Sequence, residues 1–278
     1  MNMLSYAFMQ RALIVAVLIG IMTPIIGVTI VLKRLSLVGD SLSHSSLAGV
    51  AAGLAFGFNP VVGAISFSLV AAFGIERIRK LFPKYAEIAI AIIMSTGIGL
   101  AGVLSGFVKN SANFSSFLFG SIVAISNFEL MIVLILSGVV ITALVLLYKE
   151  LFYLTFDEES ARLAGIPVRL INTVFTIMMA LTISVSARTV GALVVSSLMV
   201  IPVALAMQVA KSYKQTLIIA VVSGVLFTLV GLTVSFYANL RPGATIVLVG
   251  VVSLVVTILV KNLVVRSKVR QMNNEAIE

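Results

Sequence analysis

Residues 12–32 read ALIVAVLIGIMTPIIGVTIVL, an uninterrupted run of 21 residues that carries no charge. An α-helix rises about 1.5 Å per residue, so a run of this length can cross the roughly 30 Å hydrocarbon core of a bilayer. The run follows Arg11 directly and has no small-residue cleavage site before Lys33, unlike a secretory signal peptide. It therefore predicts a transmembrane helix.

The rest of the chain repeats this pattern. Of its 278 residues, 60% are hydrophobic and only 10% are charged, whereas soluble domains carry about 25% charged residues. The apolar runs give nine candidate spans: 12–32, 38–57, 60–75, 86–107, 128–148, 169–187, 190–210, 216–236 and 243–262. Because run 60–75 is short and the junction at 187–190 is tight, eight crossings with one re-entrant or broken helix are an alternative. We expect an all-α polytopic membrane protein with eight or nine transmembrane helices, in one domain over residues 1–278.

The positive charges are distributed unevenly between the two sets of loops. The net charge is +9, and in the nine-span arrangement 15 of the 19 Lys and Arg residues fall in loops on one side. The positive-inside rule assigns that side to the cytoplasm. The C-terminus, with a polar tail over 263–278, is then cytoplasmic, and the N-terminus is outside if there are nine spans. Because the basic residues set topology and form no aromatic-interleaved face, we expect contact with membrane lipid and none with nucleic acid.

The stretch GDSLSH (39–44) places two ionisable residues inside a predicted span. His44 is the only histidine, and Asp40 stands four residues before it, so both lie on one helix face. A carboxylate at the centre of a membrane helix costs roughly 2.5–3.5 kcal/mol on insertion scales, and such residues tend to face a cavity, a partner or a substrate path. Two interpretations stay open, a local structural pair near the membrane surface and a substrate or proton site.

A carboxylate oxygen and an imidazole nitrogen suit Zn²⁺ or Mn²⁺. A tetrahedral site needs four ligands, and the chain has no second histidine and no cysteine. Two copies of the chain would supply two Asp and two His, so a metal substrate would favour a homodimer. The neighbouring small residues would allow a close approach of two helices, although ordinary tight packing explains them equally: Ser41, Ser43, Ser45, Ser46, Ala48, Gly49, Ala51, Ala52 and Gly53.

A second informative stretch is TFDEESARLAGIPV (155–168). Thr155 and Glu158 have the spacing of a capping box, while Gly165 and the following Pro167 are typical of a helix end. The pattern predicts a helix of about two turns over 157–164 on the cytoplasmic side, with Leu163 and Ile166 as exposed apolar residues. It is either a plain interfacial helix or a docking helix for a cytoplasmic partner.

At these residues the sequence resembles a known family. RLSLVGDSLSHSSLAGVAAG (34–53) is similar to the signature helix of the permease subunits of bacterial zinc and manganese ABC importers, the ABC-3 family. The similarity continues in FLFGSI (117–122), FDEESARLAGIPV (156–168) and VGALVVSSLMVIPVALA (190–206). It extends over nearly the whole chain, from Phe8 to about Val260.

The resemblance implies a permease of the bacterial plasma membrane that works as a homodimer by alternating access. It also implies a pair of cytoplasmic ABC ATPase subunits and an extracellular metal-binding solute-binding protein as partners. Asp40 and His44 would lie on the metal path, with Zn²⁺ or Mn²⁺ as the transported substrate and no permanently bound cofactor. The connector resembles the ATPase-coupling helix of that family, which makes the following residues docking candidates: Glu158, Glu159, Ala161, Leu163, Gly165 and Pro167.

Zinc is favoured as the cargo by a detail of the signature helix. Manganese-type members typically continue with Leu-Pro-Gly, where this chain has Leu47-Ala48-Gly49. A manganese or iron importer permease is the alternative within the family, and a secondary transporter in which Asp40 and His44 carry protons is the alternative outside it. The chain contains no G-x-x-x-x-G-K-[ST] loop, so we expect a transport subunit that is not an enzyme and relies on a partner for ATP hydrolysis.

Overall fold

The computed structural model describes residues 3–82, 85–108, 111–120 and 127–275. In these ranges a short 3₁₀ turn (Met3–Ser5) and twelve α-helices occur and no strand. The helices are α1 (Ala7–Leu32), α2 (Leu37–Phe56), α3 (Pro60–Leu81), α4 (Ala86–Ser105), α5 (Ser111–Phe119), α6 (Asn127–Leu146), α7 (Tyr148–Phe156), α8 (Glu158–Leu163), α9 (Val168–Thr189), α10 (Ala192–Val209), α11 (Tyr213–Ala238) and α12 (Pro242–Glu275).

A helix is present at each of the nine predicted spans, so the all-α polytopic class is confirmed. Within the described ranges, seven helices are long and apolar enough to cross a membrane by length and composition, and α2 and α10 are not among them. The polar residues of α2 account for its lower hydropathy. Helix α3 runs to Leu81, so the third span is longer than its apolar run of 60–75 suggests.

Helix α2 lies inside the bundle rather than at its edge. It packs most extensively against α3 and α4, and it also contacts α10, α9 and α5, while α1 packs against α11 and α10. At the contact with α3, a Cβ on Gly49 would lie 2.1 Å from the carbonyl oxygen of Gly63, which only a glycine avoids. The small residues of α2 are thus used for tight packing within one subunit.

The serines of α2 also bond within the subunit. Ser43 donates to the carbonyl of Gly39 at 2.8 Å, and Ser45 donates to the carbonyl of Ser41 at 3.0 Å. Ser41 itself donates to the carbonyl of Ile90 in α4 at 3.3 Å. The hydroxyl groups of Ser41, Ser43 and Ser45 are therefore satisfied by backbone carbonyls, whereas the buried hydroxyl of Ser46 has no hydrogen-bond partner among the described residues.

The connector after α6 folds differently from the predicted capping box. Helix α7 continues to Phe156, so Thr155 is still inside a helix and donates to the carbonyl of Leu151 at 2.6 Å. Asp157 caps α8 instead, because its Oδ1 accepts from the backbone N–H groups of Glu159 at 3.0 Å and Ser160 at 2.9 Å. The predicted end is correct, since Gly165 follows the helix with φ +81°.

Candidate functional site

Asp40 and His44 lie on the same side of α2 and are both half-buried, while the serines next to them in sequence are buried. Leu37, three residues before Asp40 and 55% exposed, continues this partly open side toward the start of the helix. The four-residue spacing therefore presents a carboxylate and an imidazole on one partly accessible strip of a helix that is buried on its other sides between Val38 and Gly53. We call this strip, formed by Leu37, Asp40 and His44, the open face of α2.

Ser196 of α10 is a third polar residue at this face. Its hydroxyl donates to Oδ1 of Asp40 at 3.1 Å, and its side chain is half-buried. This contact leaves Oδ2 of the carboxylate for another partner. The sequence analysis did not identify Ser196, because an uncharged serine in an apolar helix resembles any other packing residue. The only sequence feature that points to Ser196 is its place within the stretch 190–206.

Glycines allow the neighbouring helices α10 and α4 to pack closely against α2 beside this face. A Cβ on Gly39 would lie 3.3 Å from Sδ of Met199 and 3.6 Å from Cβ of Ser196, which brings α10 against the turn that carries Asp40. On α4, a Cβ on Gly97 would lie 2.9 Å from the backbone nitrogen of Ser45. The position of the two ionisable residues is therefore fixed by backbone packing on both sides.

The site contains too few ligands to enclose a metal ion by itself. In the part of the chain that the structure describes, no group of three or more His, Cys, Asp or Glu residues could hold a metal. Asp40 and His44 supply one oxygen and one nitrogen ligand, and the Ser196 hydroxyl is a weaker oxygen donor. A zinc ion takes four ligands, so the remaining ones must come from water or from another chain.

The docking candidates of the connector lie around α8 and are largely exposed. Leu163 is 86% exposed, whereas Ala161 is completely buried and anchors α8 to its own chain. Glu158, at the start of α8, accepts a hydrogen bond from Nδ2 of Asn172 in α9 at 3.3 Å. The exposed candidates are Glu158, Glu159, Leu163, Gly165 and Pro167.

Hydrogen bonds to the Asp157 carboxylate stabilise the first turn of α8. The hydroxyl and the backbone N–H of Ser160 both donate to the Asp157 carboxylate, and these bonds hold the pKa of that carboxyl below its usual value. Ahead of it, Phe156 packs against Tyr213 of α11 with ring centroids 5.9 Å apart, and Phe152 does so at 5.1 Å. The start of α8 is thus fixed by a cap and by an aromatic cluster.

Comparisons with known proteins identify the family of the chain. The model of a family described as the ABC 3 transport family matches residues 5–261. A probable metal transport system membrane protein of Treponema pallidum is 39% identical over 258 residues, which cover 92% of this chain and 96% of that protein. The manganese transport system membrane protein MntC of Listeria monocytogenes is 31% identical over 251 residues, which cover 90% of each.

Two solved structures share the fold. The structure of PsaBC from Streptococcus pneumoniae in complex with Fab superimposes with a TM-score of 0.81 at 28% identity, covering 91% of each chain. An inward-facing conformation of a putative metal-chelate type ABC transporter superimposes with a TM-score of 0.67 at 18% identity, covering 90% of this chain and 85% of that one. At that identity the second likeness concerns the fold alone.

Proposed function

The chain belongs to the ABC 3 transport family, and we propose on that basis that it is the permease subunit of an ATP-driven importer of a divalent metal ion. The observation that carries this proposal is the open face of α2, where Asp40 and His44 are half-buried side by side. Ionisable residues inside membrane spans mark substrate and ion pathways. A carboxylate and an imidazole are metal ligands, so the chemistry of this face agrees with a metal cargo.

Zinc is the cargo that the signature helix favours, through Leu47-Ala48-Gly49. Manganese is a second candidate, and the name of the Listeria monocytogenes relative as a manganese transport protein supports it. One oxygen and one nitrogen donor bind either ion, since carboxylates suit manganese and imidazole suits zinc. The ligand types alone therefore do not distinguish zinc from manganese, and an uptake measurement must identify the cargo.

We place the metal between two copies of the chain. One copy offers Asp40 and His44 on an accessible face, and a twofold axis beside that face would bring a second pair of ligands opposite the first. The completed set of two carboxylates and two imidazoles would fill a tetrahedral sphere. The small residues of α2 do not support this dimer, because packing within the subunit already uses them. Its support is the shortage of ligands in one chain.

The transport cycle proposed here is alternating access, driven by ATP hydrolysis in a pair of partner ABC ATPases. These would dock on the exposed residues of α8, Glu159 and Leu163 among them, on the cytoplasmic side of the bacterial plasma membrane. A solute-binding protein would deliver the ion from outside. His44 would bind the ion through a ring nitrogen and Asp40 through a carboxylate oxygen.

Uptake by single-residue variants tests the site. In cells that depend on this transporter for scarce metal, Asp40→Ala and His44→Ala should each abolish growth and the uptake of labelled zinc or manganese. Ser46→Ala is the matched control, because Ser46 is a buried polar residue of the same helix and should retain uptake. If both site variants reach the membrane and still import metal at the control rate, the assignment is wrong.

Competition between zinc and manganese in the same assay identifies the cargo. Reconstituted vesicles test the energy source, because an ABC importer requires its ATPase and ATP. Uptake by the chain alone, driven by a proton gradient, would instead identify a secondary transporter in which Asp40 and His44 carry protons.

A further inference from the structure

A cavity of about 430 Å³ lies where α1 and α3 end and where α2, α8 and α9 begin. Its size falls in the range of small-ligand pockets. Helix α2 lines it with Val38, and neither Asp40 nor His44 is among its lining residues. The cavity is therefore distinct from the open face of α2.

The lining changes from apolar to charged along the helices. In α1 it passes from Ile30 to Lys33, and in α3 from Ile75 to Arg79, within about one turn each. Helix α9 runs in the opposite direction and lines the cavity with Asn172 first, then with Phe175, Thr176 and Met179. The charged part of the cavity thus lies at the ends of the helices, and most of the apolar part lies deeper in the bundle.

The cations of this cavity are incompletely paired. Nε of Arg79 is buried and has no hydrogen-bond partner among the residues that the structure describes. Lys33 is half-buried. The pKa of its ammonium group lies below the usual value, mainly because of burial; the Glu158 carboxylate opposes this shift and Arg79 adds to it. A buried donor without an acceptor is costly, so an anionic group that enters here would be stabilised by both cations.

Two carboxylates line the same cavity, Glu76 and Glu158. Glu158 lines the cavity and is held by the hydrogen bond from Asn172 at 3.3 Å. The rim therefore presents separate positive and negative positions above an apolar interior. A ligand that matches it carries a phosphate for Lys33 and Arg79, an ammonium group for Glu158, and a hydrocarbon part.

We propose that this cavity binds an aminophospholipid, with the phosphate between Lys33 and Arg79, the primary ammonium near Glu158, and an acyl chain among the apolar residues. Basic pockets between transmembrane helices are known sites for phospholipid headgroups. A lipid without a primary amine would place no cation beside Glu158, which then keeps only its hydrogen bond from Asn172. Inorganic phosphate would leave the apolar interior unfilled.

Because Glu158 begins α8 while Lys33 and Arg79 end α1 and α3, the bound lipid would join the candidate coupling helix to two transmembrane helices. The lipid site itself depends only on the cavity. Its test can therefore fail while the metal-import proposal stands, and the reverse also holds.

Native mass spectrometry of the purified full-length chain tests the proposal. We expect one phosphatidylethanolamine per chain to survive removal of detergent, in preference to phosphatidylcholine and phosphatidylglycerol. Lys33→Met and Arg79→Gln should each lower the bound fraction at least about tenfold, as loss of a charge-assisted hydrogen bond does. Arg77→Gln is the matched control, because Arg77 lies in the same helix and is exposed.

The comparison of lipids on the unaltered chain needs no variant and decides the proposal even if a variant fails to fold. Equal retention of all three lipids, or an equal loss in Arg77→Gln and Arg79→Gln, would overturn it. Binding of inorganic phosphate with the same dependence on Arg79, and without any lipid, would also overturn it in favour of a free anion. A switch from phosphatidylethanolamine to phosphatidylglycerol in Glu158→Gln would support it.

Discussion

The hydroxyl of Ser196 donates a hydrogen bond to Oδ1 of Asp40 at 3.1 Å, although the two residues are 156 positions apart in the chain. The bond joins α10 to α2 at the residue that we propose as a metal ligand. Partners that orient ligands in this way tune metal sites strongly.

Ser196→Ala should weaken metal transport without unfolding the protein. The variant removes the donor that orients the Asp40 carboxylate, and loss of such a partner typically reduces metal affinity or activity about 10–100-fold. We expect mainly a higher KM for the metal, measured by uptake over a range of metal concentrations. Ser196→Thr retains the hydroxyl and should restore most of the affinity, while the adjacent Ser197→Ala is the control. An unchanged KM would show that Asp40 needs no such orientation.

Leu37→Cys should cross-link two copies of the chain. The protein contains no cysteine, so an introduced thiol has no competitor, and Leu37 is exposed on the open face of α2. If two such faces meet across a twofold axis, mild oxidation in membranes should give a covalent dimer on a non-reducing gel. Val139→Cys, exposed on α6, is the control and should stay monomeric. A cross-link at Val139 alone would place the dimer interface elsewhere.

Asp157→Ala should uncouple α8 while sparing the metal site. The variant removes the carboxylate that caps α8 through the N–H groups of Glu159 and Ser160. We expect faster hydrogen exchange at these amides and a several-fold loss of transport, with metal affinity unchanged. Asp157→Asn keeps a capping oxygen and should retain most activity. Equal exchange rates in the Ala variant and the unaltered chain would contradict the cap.

The same cap gives a pH dependence. The Asp157 pKa lies below its usual value of 3.8 because Ser160 donates to the carboxylate. A lowered pKa means that the capping contribution is fully present above the usual value and is lost as the pH falls through the lowered one. Protection of the Ser160 amide, taken relative to its intrinsic exchange rate at each pH, should therefore be constant near neutral pH and should fall only in strong acid.

Gly49→Ala should destabilise the contact between α2 and α3. Its Cβ would lie 2.1 Å from the carbonyl oxygen of Gly63, and backbone cannot move aside as a flexible side chain can. Overpacking of this kind costs about 1–3 kcal/mol, which a thermal unfolding measurement in detergent would detect. Gly99→Ala is the control, because a Cβ there meets nothing within 4 Å. Equal melting temperatures for the two variants would contradict the close packing.

The sequence predicts the helices well because long apolar runs have few alternatives in a bilayer. It identifies Asp40 and His44 because their insertion cost requires a reason. It predicts their neighbours poorly, since the approach of Ser196 depends on how α10 packs against Gly39. Local competition explains the error at Thr155: the spacing of a capping box is present, but α7 continues through that residue and Asp157 becomes the cap.

The glycine contacts of α2 also restrict how its ligands can move. Helix α2 meets the backbone of α3 at Gly63, and α4 meets the backbone of α2 at Gly97, while side chains of α10 lie against Gly39, so α2 cannot slide or rotate unless these helices shift. Asp40 and His44 then travel only when the surrounding helices travel with them. A site shared by two such rigid halves would be either assembled or divided, and metal release would be a separation of whole subunits rather than a change of side-chain rotamer.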